Sequence, residues 1–131
     1  GNLPKSIREL RLTYSSAQSE EVLRLINMQE NLVELTVEQW RCKFFEFLDK
    51  LSNLKNSLVK LTLVDFIIDD TKEDLEYLSD IRTHFPKLEQ LILMDCYDSN
   101  TFFVLSRELQ DSFTLKEKTR DFKKWVTKSN V

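Results

Sequence analysis

One short arrangement of apolar and polar positions returns four times along the chain. It reads Ile7-x-x-Leu10-x-Leu12, Leu32-x-x-Leu35-x-Val37, Leu58-x-x-Leu61-x-Leu63 and Leu88-x-x-Leu91-x-Leu93. The last two apolar positions of each lie two residues apart, the spacing of a strand with one buried face. Between these arrangements the spacing becomes helical. Val22, Leu25 and Ile26 form one stripe, preceded by the capping-box pattern Ser15-x-x-Gln18. Phe44, Phe47, Leu48 and Leu51 form a second. Leu75, Leu78 and Ile81 form a third, opened by the capping signal Thr71-Lys72-Glu73-Asp74. Phe102, Leu105 and Leu109 follow the fourth strand. Leu3-Pro4-Lys5 and Phe85-Pro86-Lys87 precede the first and fourth arrangements, where proline stops a helix and imposes extended backbone. The predicted unit is strand, turn and helix, four times over.

The last stretch leaves this rhythm. Leu115, Phe122, Trp125 and Val126 fall on one helical face, with Lys116, Lys118, Arg120, Lys123 and Lys124 around the rest. A C-terminal capping helix over about 112–128 is expected, its basic side in solvent. The alternative is a basic amphipathic helix laid on a membrane surface or in a partner's groove.

The skeleton resembles the leucine-rich repeat, L-x-x-L-x-L-x-x-N/C with a period of about 20–29 residues. First positions here, at Ile7, Leu32, Leu58 and Leu88, are 25, 26 and 30 residues apart. The expected fold is an α/β leucine-rich-repeat solenoid with parallel inner strands, outer helices and the C-terminal capping helix. Residues 1–131 form one such domain, with the four repeats over about 3–110. The ninth repeat position holds Ser15, Trp40, Phe66 and Cys96. Cys96 alone matches the consensus, and Trp40 and Phe66 are expected to fill their turns by packing.

Composition narrows the function classes. The chain's 131 residues suffice for one core, and 41% hydrophobic with 31% charged content suits a globular protein. No apolar run approaches the about 18 residues of a membrane span, and neither a signal peptide nor a glycosylation sequon is present. Cys42 and Cys96 are too few for a disulfide framework, so an intracellular location, cytoplasmic or nuclear, is expected. A net charge of −3 speaks against nucleic-acid binding. The single glycine, Gly1, runs directly into the first repeat with no cap ahead of it. An excerpt of a longer protein is therefore expected.

Catalytic chemistry finds little footing. Without a second glycine there is neither a phosphate-binding loop nor a nucleophile elbow. His84 is the sole histidine and reads as a polar helix end, while Cys42 and Cys96 read as separate buried thiols. No enzyme activity, cofactor or metal is expected. Asp65 and Asp95 share the eighth repeat position and should stack as neighbours, with Asp69 and Asp70 nearby. Turn and helix capping is their expected role, with acid–base work or a hard-cation site as the alternatives.

The face of the strands turned away from the core is the better candidate. It should carry Glu9, Arg11 and Thr13, then Glu34, Thr36 and Glu38, then Lys60, Thr62 and Val64, then Gln90, Ile92 and Met94. Arg11, Glu34, Thr36, Glu38, Lys60, Thr62, Val64, Gln90, Ile92 and Met94 are the expected partner-binding residues. Val64, Ile92 and Met94 should make an exposed apolar patch bounded by charge, the mark of a protein-interaction surface. Glutamate at Ile92 and Met94 is expected to abolish capture and spare the fold. Alternatively, a neighbouring segment or the C-terminal helix covers the patch.

Two phrases sharpen the expectation. Glu30-Asn31-Leu32-Val33-Glu34-Leu35 and Leu54-Lys55-Asn56-Ser57-Leu58-Val59-Lys60-Leu61, with Leu3-Pro4-Lys5-Ser6-Ile7, resemble the repeat portion of fungal F-box/leucine-rich-repeat proteins over roughly residues 3–100. The resemblance implies substrate recognition for an SCF-type ubiquitin ligase, in which an F-box, not present in this sequence, would dock on the ligase adaptor. The alternative is a structural or regulatory repeat segment of a larger intracellular protein.

Overall fold

Glu9–Thr13 (β1), Glu34–Glu38 (β2), Lys60–Val64 (β3) and Gln90–Met94 (β4) are strands, each carrying the last two apolar positions of its arrangement. The computed structural model describes residues 8–13, 19–29, 31–38, 44–65, 71–96, 99–119 and 122–128. The four strands lie side by side, parallel and without slippage: Leu10, Leu35, Leu61 and Leu91 form one row, and Leu12, Val37, Leu63 and Leu93 the next. The same backbone contact recurs at each junction. The Arg8, Val33 and Val59 carbonyls each accept two N–H groups from the start of the following strand, at 2.8–3.1 Å.

Helices Ser19–Asn27 (α1), Phe44–Asp49 (α2), Lys72–Ser79 (α3), Ile81–His84 (α4) and Ser99–Leu109 (α5) lie between or after these strands. Their apolar side chains and the strand leucines share one core, which includes Ile26, Phe47, Leu48, Leu78, Ile81 and Leu105. Among the described side chains of α1, Leu23 and Ile26 are buried and Leu25 is half-buried, so Leu23 joins the expected stripe. Thr71 caps α3 as the sequence signals, its hydroxyl accepting the Asp74 N–H at 3.3 Å. The Ser15-x-x-Gln18 signal lies outside the described residues.

The expected leucine-rich-repeat solenoid is not what the chain forms. Phe113–Lys118 (β5) and Phe122–Thr127 (β6) are strands, and the whole is a mixed six-stranded sheet in the order β1-β2-β3-β4-β6-β5. β6 pairs antiparallel with both β4 and β5. Among the described residues two of the helices are short, six residues in α2 and four in α4. The C-terminal capping helix over about 112–128 is therefore corrected to a β-hairpin.

The physical reason lies in β4. A parallel sheet ending there would leave a row of backbone donors and acceptors unpaired beside a large apolar core. β6 supplies that pairing, and the Thr127 N–H takes the Glu89 carbonyl at 2.8 Å, where an earlier junction would use the next parallel strand. The segment's composition permits it. Phe113 and Leu115 alternate with Thr114 and Lys116, and Phe-Lys-Lys-Trp-Val-Thr is rich in strand-forming aromatic and β-branched side chains. Trp125 then falls on the core side, 1% exposed.

Candidate functional site

Because the side-chain period of a strand is two, everything between the core positions must emerge on the opposite, front face of the sheet. Register turns that face into three rows. The first runs Glu9, Glu34, Lys60, Gln90, Val126, Thr114, and the second runs Arg11, Thr36, Thr62, Ile92, Lys124, Glu117. The third runs Thr13, Glu38, Val64, Met94, Phe122.

All ten expected partner-binding residues lie on this face, but their exposure differs from the expectation. Arg11 is exposed. Glu34, Thr36, Glu38, Lys60, Val64, Gln90 and Met94 are half-buried. Thr62 and Ile92 are buried, at 8% and 6% exposure, in the middle of the second row. Ile92 is thus a floor residue, flanked by Thr62 and Lys124, and stands apart from the helix-facing core. A glutamate there would strip the floor of its apolar packing, so the expected harmless double substitution at Ile92 and Met94 is corrected to Met94 alone.

β6 brings three residues that sequence reasoning did not place here. Phe122, half-buried, extends the Val64 and Met94 patch sideways, Val126, also half-buried, stands beside Gln90 in the first row, and Lys124 adds a charge beside Ile92. Their signal was present as the alternation Phe122-x-Lys124-x-Val126, obscured by a helical spacing that fits the same residues. The β5–β6 hairpin lies next to the patch in the sheet and enlarges it through Phe122.

The electrostatics are graded across the sheet. Glu9, Glu34 and Glu38 make the β1–β2 side acidic, and the Arg11 guanidinium donates diagonally to the Glu38 carboxylate. Glu34 stands opposite Lys60, and Glu117 opposite Lys124. Two further basic residues of the hairpin face the other way. The Lys118 and Lys123 ammonium groups lie 4.5 and 5.4 Å from the Phe102 ring centre, on the core side of the hairpin.

At the end of the strands, Asp65 and Asp95 both adopt left-handed backbone, φ 59° and 54°. Aspartate tolerates that conformation better than most residues. The Asp65 N–H donates to the Met94 carbonyl at 2.9 Å, and Cys96 Sγ lies 3.3 Å from the Leu63 and Met94 carbonyl oxygens. Asp69, Asp70, Trp40, Phe66 and Cys42 lie outside the described residues. Among the described residues, no three His, Cys, Asp or Glu side chains gather into a metal-holding group.

His84 ends α4 with its ring stacked on Tyr77, centroids 4.3 Å apart. Burial, with the Asp49 carboxylate adding to it, pushes the Tyr77 phenol well above the usual tyrosine range. Among the described residues, no helix is long and apolar enough to cross a membrane.

Comparison of the chain with models of protein families, with curated proteins and with solved structures finds no match.

Proposed function

We propose that the chain is a protein-interaction module that holds its partner on the front face of the sheet. The supporting observation is the apolar row of Val64, Met94 and Phe122, which continues directly from Glu38 and has Glu34 on the same acidic side. Apolar side chains grouped at a surface and rimmed by charge gain most from being covered by another protein. The complementary partner presents apolar anchors with basic residues to one side. The SCF ligase context rests on the sequence resemblance and enters as one outcome of the same experiment.

Affinity capture from native extract, comparing the wild type with Met94→Glu and Phe103→Ala, tests the reading. Phe103 is 69% exposed on α5, away from the front face, and serves as the control. A partner kept by Phe103→Ala and lost from Met94→Glu supports front-face binding. Equal capture by all three proteins rejects it. Cullin and the SCF adaptor among the front-face-dependent proteins would support the ligase context, and a different stable partner would replace it.

A further inference from the structure

The two edges of the sheet are built differently. β5 is guarded: its ladder with β6 shifts register between Leu115 and Glu117, and Lys116, Glu117 and Lys118 are exposed along it. A bulge and a run of charge are the devices that keep an edge strand from pairing with another chain. β1 has no bulge in its ladder with β2, and among the described residues no strand lies on its outer side. Its core-side residues Leu10 and Leu12 are only half-buried, whereas Leu35, Val37, Leu61, Leu63, Leu91 and Leu93 in the same rows are at most 1% exposed.

Parity decides which backbone groups β1 offers. The Arg8 carbonyl accepts the Glu34 N–H at 2.9 Å, so Arg8, Leu10 and Leu12 turn their backbone groups toward β2. Glu9, Arg11 and Thr13 turn theirs outward. In an antiparallel pair, residues that exchange both hydrogen bonds must face each other with outward groups on both strands. A two-fold pairing of β1 with itself, centred on Leu10, meets this condition. It sets Glu9 opposite Arg11 of the second copy, and does so twice, with Leu10 against Leu10 on the core side. The register centred on Arg11 would instead bring two guanidinium groups together. Arg11 is available for the first arrangement, its side chain being 73% exposed even while it touches Glu38.

We propose that β1 is a self-association edge, pairing antiparallel with β1 of a second copy through reciprocal Glu9–Arg11 contacts. The dimer has one continuous sheet, closed by its two-fold axis. The proposal is independent of the front-face reading.

Sedimentation equilibrium over a concentration series tests it. The wild type is expected to show a reversible monomer–dimer equilibrium. Arg11→Glu and Glu9→Arg each put like charges opposite each other twice, and each should weaken the dimer about tenfold or more. Mixing the two single variants restores opposite charges in a heterodimer, and the Glu9→Arg/Arg11→Glu double variant restores them in a homodimer. Arg11→Glu also removes the contact with Glu38, but mixing cannot repair a contact within one chain, so rescue on mixing reads the edge alone. Thermal melts of the monomers verify that the variants fold. A wild type that stays monomeric, single variants that dimerise as the wild type does, or a mixture without rescue each overturns the proposal. A dimer dissociated by Met94→Glu and not by Arg11→Glu overturns it too, and assigns the contact to the front face.

Discussion

Trp125 stands directly opposite Leu91 across the antiparallel junction of β6 and β4, and each is 1% exposed. The indole also meets the Phe102 ring of α5, centroids 6.3 Å apart. One side chain therefore ties the last strand, the last parallel strand and the last helix into the core. Trp125→Ala is expected to cost about 3–5 kcal/mol, the range for emptying a large aromatic site. Urea denaturation gives the number, and a loss below about 1 kcal/mol would show that the hairpin is not seated on the core.

Met94→Glu and Ile92→Glu separate surface from floor. The half-buried Met94 should tolerate the change with a loss of at most about 1 kcal/mol. Ile92, 6% exposed, cannot take a carboxylate without burying it, and several kcal/mol of destabilisation is expected, about 3 or more. Similar melting temperatures for the two variants would contradict the placement of Ile92.

Asp65 and Asp95 are set by backbone. A β-branched residue in left-handed conformation is strained, so Asp95→Val should lose about 1–2 kcal/mol. Asp95→Gly, which relieves the conformation but adds freedom to the unfolded chain, should stay within about 1 kcal/mol of the wild type. A role for the carboxylate itself would make the two variants equally damaging, and their urea midpoints distinguish the cases.

Asn27 links two layers of helix. Its side-chain amide donates to the Lys50 carbonyl at 2.6 Å, while the Asn53 amide donates to the Asn27 carbonyl at 3.2 Å. Asn27→Ala is expected to cost about 1 kcal/mol, a typical net value for such a bond. The Asn53→Ala double-variant cycle should show coupling, because both bonds hold α1 to the segment after α2. Strict additivity would mean that the two bonds act independently.

Tyr77 makes the fold sensitive to alkali. Its phenol is raised by burial in the folded chain and ordinary in the unfolded one, at about 10. The folded state then holds the proton that the unfolded state gives up, so stability is intact below about pH 10 and falls as pH rises beyond it. Tyr77→Phe should flatten that part of the stability–pH curve, as followed by urea midpoints between about pH 9 and 11. An unchanged slope would place the alkaline sensitivity on other groups.

The four parallel strands and their rows are legible because a period of two, repeated at matching places, allows one register that buries Leu35, Leu61 and Leu91 together. Of the helical stripe Phe44, Phe47, Leu48 and Leu51, the last three lie in the core and the Phe44 side chain is outside the described ones; Phe102, Leu105 and Leu109 all lie in the core. The front-face residues of β1 to β4 follow from the alternation alone. Their exposure does not, because whether Ile92 is surface or floor depends on what stands beside it, and that is Lys124 of a strand over thirty residues away in sequence.

Only the tertiary structure decided the C-terminal segment. Leu115, Phe122, Trp125 and Val126 fit a helical face, and a strand alternation fits the same stretch, so local pattern is degenerate there. The choice belongs to β4, whose open backbone edge and apolar rows gain a strand's hydrogen bonds and Trp125 from the hairpin. A helix packed on that edge would satisfy its own backbone and leave β4 unpaired. The local sequence thus determined four strands and their facing, and long-range hydrogen bonding turned the expected solenoid into a mixed sheet.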